Sequence, residues 1–212
     1  MLNAEEIIKG AFYAMEQAGL LINDAALLYA QQKWPSSLVL AVFALEELGK
    51  AEVLLQRGID TASTADKTRA QVFAGNTAHT TKLRGGRGPD TITTAISFAG
   101  EIPEPDTAEA AALNHQLQQA EQIATGNAPA NAHGARMRSL YVDLPESEIW
   151  TRPKETSPSE AYLMVSAASI EYSVPREKFA NPTNAAVENA VEDLGYQLPT
   201  LPTAPDIHWP TG

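Results

Sequence analysis

The chain has no cysteine, so disulfides, thiolate metal sites and a cysteine nucleophile are excluded. Aromatic residues are few, and the longest apolar run, Leu38 to Leu45, is far shorter than the ~20 residues that cross a bilayer. The amino terminus, MLNAEEIIKG, carries acids and has no apolar signal core. A soluble, cytoplasmic protein without membrane contact is the simplest expectation. Basic residues are also scarce: 15 Lys and Arg stand against 26 Asp and Glu, a net charge of -11. A field of that sign opposes broad, non-specific binding of nucleic acid. The deficit is uneven, because Lys67, Arg69, Lys82, Arg84 and Arg87 follow one another with no acid between them. The default for such a run is a solvated face. No HExxH zinc motif is present, and no histidine follows a glutamate by three residues as a carboxylate-bridged metal bundle requires. No metal and no cofactor is expected.

What is present is apolar surface in helical register. At 212 residues and 44% apolar content the chain can bury a sizeable core. Many alanines and few aromatics point to an all-α fold. The organising stretch is Ser36 to Leu55, SSLVLAVFALEELGKAEVLL. At about 100° per residue, Glu46 falls between the columns of Val39, Val42, Phe43 and Val53, and Glu47 between those of Leu40, Phe43 and Leu54. A helix apolar nearly all round is one that other elements surround. An unpaired buried carboxylate costs several kcal/mol, so both glutamates need partners. Lys50, four residues after Glu46 and three after Glu47, can pair locally with either; a polar cluster recruiting distant residues is the alternative.

Taken in order, Asn3 to about Lys33 has helical spacing, with Asn3 as cap, Glu5 and Glu6 in the first turn, and Gly19 as a candidate interruption. Trp34 and Pro35 are expected to make the turn into the core helix, which should stop at Gly58 as a cap. Gly49 inside it suggests a close helix approach. Ser63 or Thr64 can start a third helix to about Leu83, whose inward face holds Val72, Asn76, His79 and Leu83. Arg84 to Pro89 reads as a basic loop, lacking Rossmann or phosphate-loop spacing. Asp106 or Thr107 can cap a polar, alanine-rich helix to about Ala124, and Thr125 to Ala135 is a loop. Arg136-Met-Arg-Ser-Leu-Tyr-Val-Asp143 favours an extended conformation. After a linker from Pro153 to Pro158, a helix from Ser159 to Val174 should end before Pro175. A short helix, about Pro182 to Leu194, precedes a proline-rich tail from Pro199, expected to be draped or disordered. The implied organisation is a helical bundle core over 1–125, a loop, extended segment and C-terminal helices packed on it over 126–198, and a tail over 199–212.

Three elements recur in a recognisable order: A-x-x-A-x-E-E-x-G-K from Ala41 to Lys50, H-x-x-K from His79 to Lys82, and R-x-R-x-L-Y-V-D from Arg136 to Asp143. Together they resemble the AbiV family of phage abortive-infection proteins over roughly residues 20 to 145. The resemblance implies a HEPN-like helical bundle, often dimeric, that defends bacteria against phage by shutting down translation in the infected cell. Its implied partners are RNA or the translation machinery, a phage-encoded protein, and a second copy of the chain. Many HEPN toxins are metal-independent ribonucleases with an arginine four to six residues from a histidine. Here the nearest upstream arginine to His79 is Arg69, ten residues away and off its face.

A ribonuclease site would therefore be assembled from separate elements. His79 would be general acid or base, oriented by Glu46 or Glu47, with Lys50 beside them. Lys82, Arg84, Arg136 and Arg138 would hold phosphate, and Tyr141 would stack on a base or donate a proton. Asn76 and Asp143 would support them. The alternative is a non-catalytic helical interaction protein in which the same polar residues lock the bundle. The later His79 and Tyr141 segments tilt the choice at Glu46 and Glu47 from the local pair towards the cluster.

Overall fold

The computed structural model describes residues 2–62, 136–137, 139–140, 153 and 156–201. Four helices, α1 (Ala4–Ala30), α2 (Trp34–Ala62), α3 (Pro158–Ala180) and α4 (Ala185–Leu194), make up most of this part, and it contains no β-strand. The helices expected from Ser63 or Thr64 to Leu83 and from Asp106 or Thr107 to Ala124 lie outside the described residues. So do the basic loop Arg84 to Pro89, the loop Thr125 to Ala135 and the tail beyond Leu201.

Helix α1 starts where the first polar cap occurs. The Asn3 side chain accepts from the Glu6 amide at 2.8 Å, and the Glu6 carboxylate accepts from the Asn3 amide at 3.0 Å, so two otherwise unsatisfied donors are met reciprocally. The helix passes through Gly19 without interruption. Its buried residues come as neighbouring pairs, Ile7 with Ile8, Ala11 with Phe12, Ala14 with Met15 and Ala25 with Ala26. Adjacent positions point about 100° apart, so α1 is enclosed over more than one face. The turn into α2 is Gln31 to Lys33, with Gln32 in the left-handed region at φ 59°. Trp34 and Pro35 already belong to α2, where proline suits a first turn because its missing N–H would have no helical partner.

The two long helices run antiparallel. Near the turn, the buried Ser37 hydroxyl donates to the Ala25 carbonyl at 2.8 Å. At the far end Gly58 meets Ile8, where an added Cβ would lie 2.4 Å from Ile8 Cγ1 and 3.3 Å from the Ala4 carbonyl oxygen. Gly58 is thus a point of helix contact inside α2, not the cap expected of it. Hairpin packing supplies the free energy that carries the helix on to Ala62 in spite of glycine's cost of ~1 kcal/mol.

Helix α3 lies mainly against α2 and α4 mainly against α1. A capping box opens α3: the Glu160 amide donates to Ser157 Oγ at 3.2 Å, and the Ser157 amide to Glu160 Oε2 at 2.7 Å. The helix does not end before Pro175. Tyr172, Pro175 and Phe179 form one buried stripe at spacings of three and four, so the ring sits in the packed face and tertiary contact outweighs one missing backbone bond. Asn184 caps α4, which ends at Gly195 in the left-handed conformation.

Beyond Gly195 the chain returns along α1. Phe12 packs edge-on against both Phe179 and Tyr196, with ring centroids 5.5 and 5.3 Å away. Over Gly19, where an added Cβ would be 2.8 Å from the Tyr172 hydroxyl, that hydroxyl donates to the Pro199 carbonyl at 2.9 Å. Residues up to Leu201 are therefore draped on the helices, with Leu198 buried.

Gly58→Ala should destabilise the protein by about 1–2 kcal/mol, overpacking against Ile8 outweighing the gain in helix propensity. Combining it with Ile8→Ala should give less than the sum of the two losses in urea unfolding. An unchanged or raised midpoint for Gly58→Ala at constant m would contradict this contact. Burial pushes the Tyr172 phenol up to about 12, with Glu16 adding and Arg176 opposing, and burial next to Tyr162 does the same for Tyr29. An unfolded phenol ionises near ~10. The unfolded chain thus releases protons first, and stability present in full below pH ~10 should be lost as pH rises to ~12. Unfolding midpoints measured across that window, with phenolate absorbance followed in parallel, test the sign.

Candidate functional site

The core helix buries one of its two adjacent glutamates and leaves the other partly open. Glu46 is 4% exposed. Its Oε1 accepts from Arg136 Nη1 at 2.8 Å, across 90 residues of sequence. The Arg136 guanidinium also lies over the Phe43 ring, 5.3 Å from its centroid. Phe43 precedes Glu46 by three residues, so both project from the same side of α2 and present a carboxylate beside an aromatic face. A delocalised, weakly hydrated guanidinium suits that pocket better than an ammonium would.

Glu47 takes the other course. Its Oε2 accepts from Lys50 Nζ at 2.8 Å, three residues on, with both side chains partly exposed. Such a pair contributes only about 0.2–0.5 kcal/mol. The local pair and the long-range partner therefore both occur, one for each glutamate. The difference follows from the ~100° that separates neighbours on a helix: one carboxylate faces the interior and the other a solvated flank.

The segment carrying Arg136 is helical at Arg136, Met137, Ser139 and Leu140, not extended as its Leu-Tyr-Val composition suggests. Arg136 and Ser139 are buried while Met137 and Leu140 are exposed. A helix places residues three apart on one side, whereas a strand would send Arg136 and Ser139 to opposite faces. Ser139 Oγ is 2.9 Å from Thr156 Oγ1, which ties this segment to the approach to α3 while Arg136 ties it to α2.

Of the residues singled out in the sequence, the structure brings Glu46 and Arg136 together, and Glu47 and Lys50 together. Asn76, His79, Lys82, Arg84, Arg138, Tyr141 and Asp143 lie outside the described residues. Phe43, Ser139 and Thr156 were not singled out. Phe43 was readable in part, since it stands one turn before Glu46, while the Ser139 and Thr156 hydroxyls carry no local signal. No group of three or more His, Asp or Glu able to hold a metal is found among the described residues. No described helix is long and apolar enough to cross a membrane.

An antiparallel pair of long helices with further helices laid along it defines an all-α bundle among the described residues, and the family match makes it HEPN-like. The family model for AbiV, a HEPN type, matches residues 6–169, and the chain belongs to that family. The match extends past the motif-bearing span on both sides, taking in nearly all of α1 and the first half of α3. No match is found among curated proteins or among solved structures. Membership places the chain in abortive infection, a defence against phage.

Removing one member of the clamp takes the counter-charge from the other, so Arg136→Met or Glu46→Leu should each cost about 3 kcal/mol or more. The double variant Glu46→Leu, Arg136→Met should cost less than the sum of the two single losses, because both single variants break the same contact. Strictly additive losses in a denaturant double-mutant cycle would show that the two residues are not coupled.

Proposed function

We propose that this AbiV-family protein arrests translation in phage-infected cells, acting on RNA or on the translation machinery through a surface that the Glu46–Arg136 clamp holds in shape. The observation that supports this reading is the clamp itself. It joins the helix bearing E-E-x-G-K to the segment opening R-x-R-x-L-Y-V-D, two of the three elements that carry the family resemblance. Glu46 and Arg136 engage each other in a buried setting, so in this reading they are positioning residues and do not touch phosphate.

If the arrest is ribonucleolytic, a group must take a proton from the attacking hydroxyl and cations must neutralise the phosphate. His79 is the candidate for proton transfer. Lys82, Arg84 and Arg138 are the phosphate-holding candidates, Tyr141 the stacking one, and Asn76 and Asp143 their supports. Glu47 and Lys50 stand at the half-exposed edge of α2 beside the clamp. The second reading is arrest by binding alone, in which the polar residues are structural. It is favoured by the inward use of Arg136 and by the ten-residue gap between Arg69 and His79.

Protein synthesis should be measured by labelled amino-acid incorporation in phage-infected cells carrying the wild type, His79→Ala or Arg136→Met, with folded protein checked in each. The wild type should lower incorporation after infection and Arg136→Met should lose at least tenfold of that effect. Undiminished synthesis with the wild type would overturn the proposal. Purified protein incubated with total RNA then separates the readings: cleavage lost in His79→Ala marks a ribonuclease, and intact RNA alongside arrest marks a binding mechanism.

A further inference from the structure

Single exposed apolar side chains are ordinary on a protein surface and carry no meaning by themselves. On α1 they are not scattered. Tyr13, Leu20 and Leu27 stand seven residues apart and are 50, 48 and 58% exposed, on a helix otherwise enclosed over more than one face. Seven residues make nearly two full turns, so the three project within about 40° of one another and form a stripe about 21 Å long. Gln17 and Asp24, also exposed, fill the positions between them. The resulting alternation of four and three residues is that of a helix–helix seam. At the Tyr13 end, Tyr196 is 41% exposed and is held on α1 by the Phe12 ring and by its hydroxyl, which donates to Glu16 at 3.2 Å. Of the seven large hydrophobic residues exposed in the described part, four therefore gather on this one face.

Charge around the stripe decides what kind of partner fits it. Helix α1 carries Glu5, Glu6, Glu16 and Asp24 against one base, Lys9, and that base is already paired with Glu5 and Asp193. Helix α4, which lies mainly on α1, adds three acids and no base. The next cation along the chain, Lys33, stands in the turn beyond the helix end. A face of this sign attracts a cationic partner and repels an acidic one. A second copy of the chain is a poor fit. Parallel pairing along the stripe would set Asp24 on Asp24, and antiparallel pairing about Leu20 would set Asp24 against Glu16, so acid meets acid in both.

We propose that this stripe docks a cationic amphipathic helix of a partner protein, laid along α1 with apolar side chains on Tyr13, Leu20 and Leu27 and a lysine or arginine meeting Asp24. Tyr13 and Tyr196 close one end of the seat with large rings that have few torsions to freeze on binding. Gln17 sets the register, as a polar residue within a helix seam does. The half-open apolar side chains supply the affinity, while the acidic margin speeds encounter and excludes acidic partners. The stripe lies on α1 and the Glu46–Arg136 clamp on α2, so the proposal stands whether arrest is ribonucleolytic or by binding alone.

The test uses full-length protein and two labelled synthetic helical peptides of about three heptads, ~31 Å long, that share one leucine seam. One bears lysine at its remaining positions and the other glutamate, and fluorescence anisotropy gives the Kd of each. The lysine peptide should bind, and the glutamate peptide at least tenfold more weakly. Leu20→Gln combined with Leu27→Gln should weaken the lysine peptide at least tenfold while leaving circular dichroism and the unfolding midpoint unchanged, since neither side chain is buried. Asp24→Lys should weaken it at least threefold at low salt and by less as salt rises. No binding by the wild type, or equal affinity for the two peptides, would overturn the proposal. So would equal binding by the wild type and the double leucine variant, which marks mere adsorption of cations to an acidic chain. A wild-type dimer in sedimentation that is lost in that same variant would assign the stripe to a second copy and overturn it as well.

Discussion

A carboxylate enclosed by apolar helix faces has to be neutralised or the helix cannot be buried, and this requirement at Glu46 organises the described part of the molecule. The neutralising group comes from Arg136, far along the chain, and lies over Phe43 on the same side of α2. Burial makes the pair matter, because losing either member removes a counter-charge in a medium that solvates charge poorly. It does not make the pair a large net source of stability, since desolvation offsets most of the attraction. What it does is tie α2 to the segment around residue 136. The Ser139–Thr156 hydroxyl contact ties the same segment to the approach to α3.

Around this clamp the fold relies on close approach rather than bulk. Glycines let elements lie near one another, Gly58 of α2 against Ile8 of α1, and Gly19 of α1 beneath Tyr172 of α3 and Pro199. Large side chains are concentrated where α3, α4 and the residues after Gly195 cross α1, and the Phe12, Phe179 and Tyr196 rings meet edge to face there. The Tyr172 hydroxyl bonds the Pro199 carbonyl and so anchors the residues after Gly195, while burial of the phenol holds its proton. A protein built this way tolerates a proline within α3, because the residues around Pro175 are fixed from outside the helix.

Much of the helical layout was legible. The Asn3 cap with its first-turn acids, the long α1 and the short α4 follow from local polar groups and apolar period, which act within one or two turns. The need of Glu46 for a partner was legible too, from the columns it falls between. Three local signals misled for one reason. Gly58 read as a cap, Pro175 as a stop and the described residues 136, 137, 139 and 140 as extended, each on intrinsic preference worth about 1–3 kcal/mol. Each preference was overridden by packing against a distant element. For the candidate site, the glutamates and Arg136 were named from type and position, while the pairing of Glu46 with Arg136 rather than Lys50 was not readable.

Sequence by itself determined that this is an all-α, acidic, cysteine-free chain of the AbiV type, with a core helix too apolar to stand alone and two glutamates in it that require cations. Tertiary structure alone decided which cation each one takes. On a helix, neighbouring residues differ in direction by a fixed angle, but whether that angle separates interior from solvent depends on where the other helices lie. Once α1 and α3 enclosed α2, Glu46 faced inward towards Arg136 and Glu47 remained at the flank with Lys50.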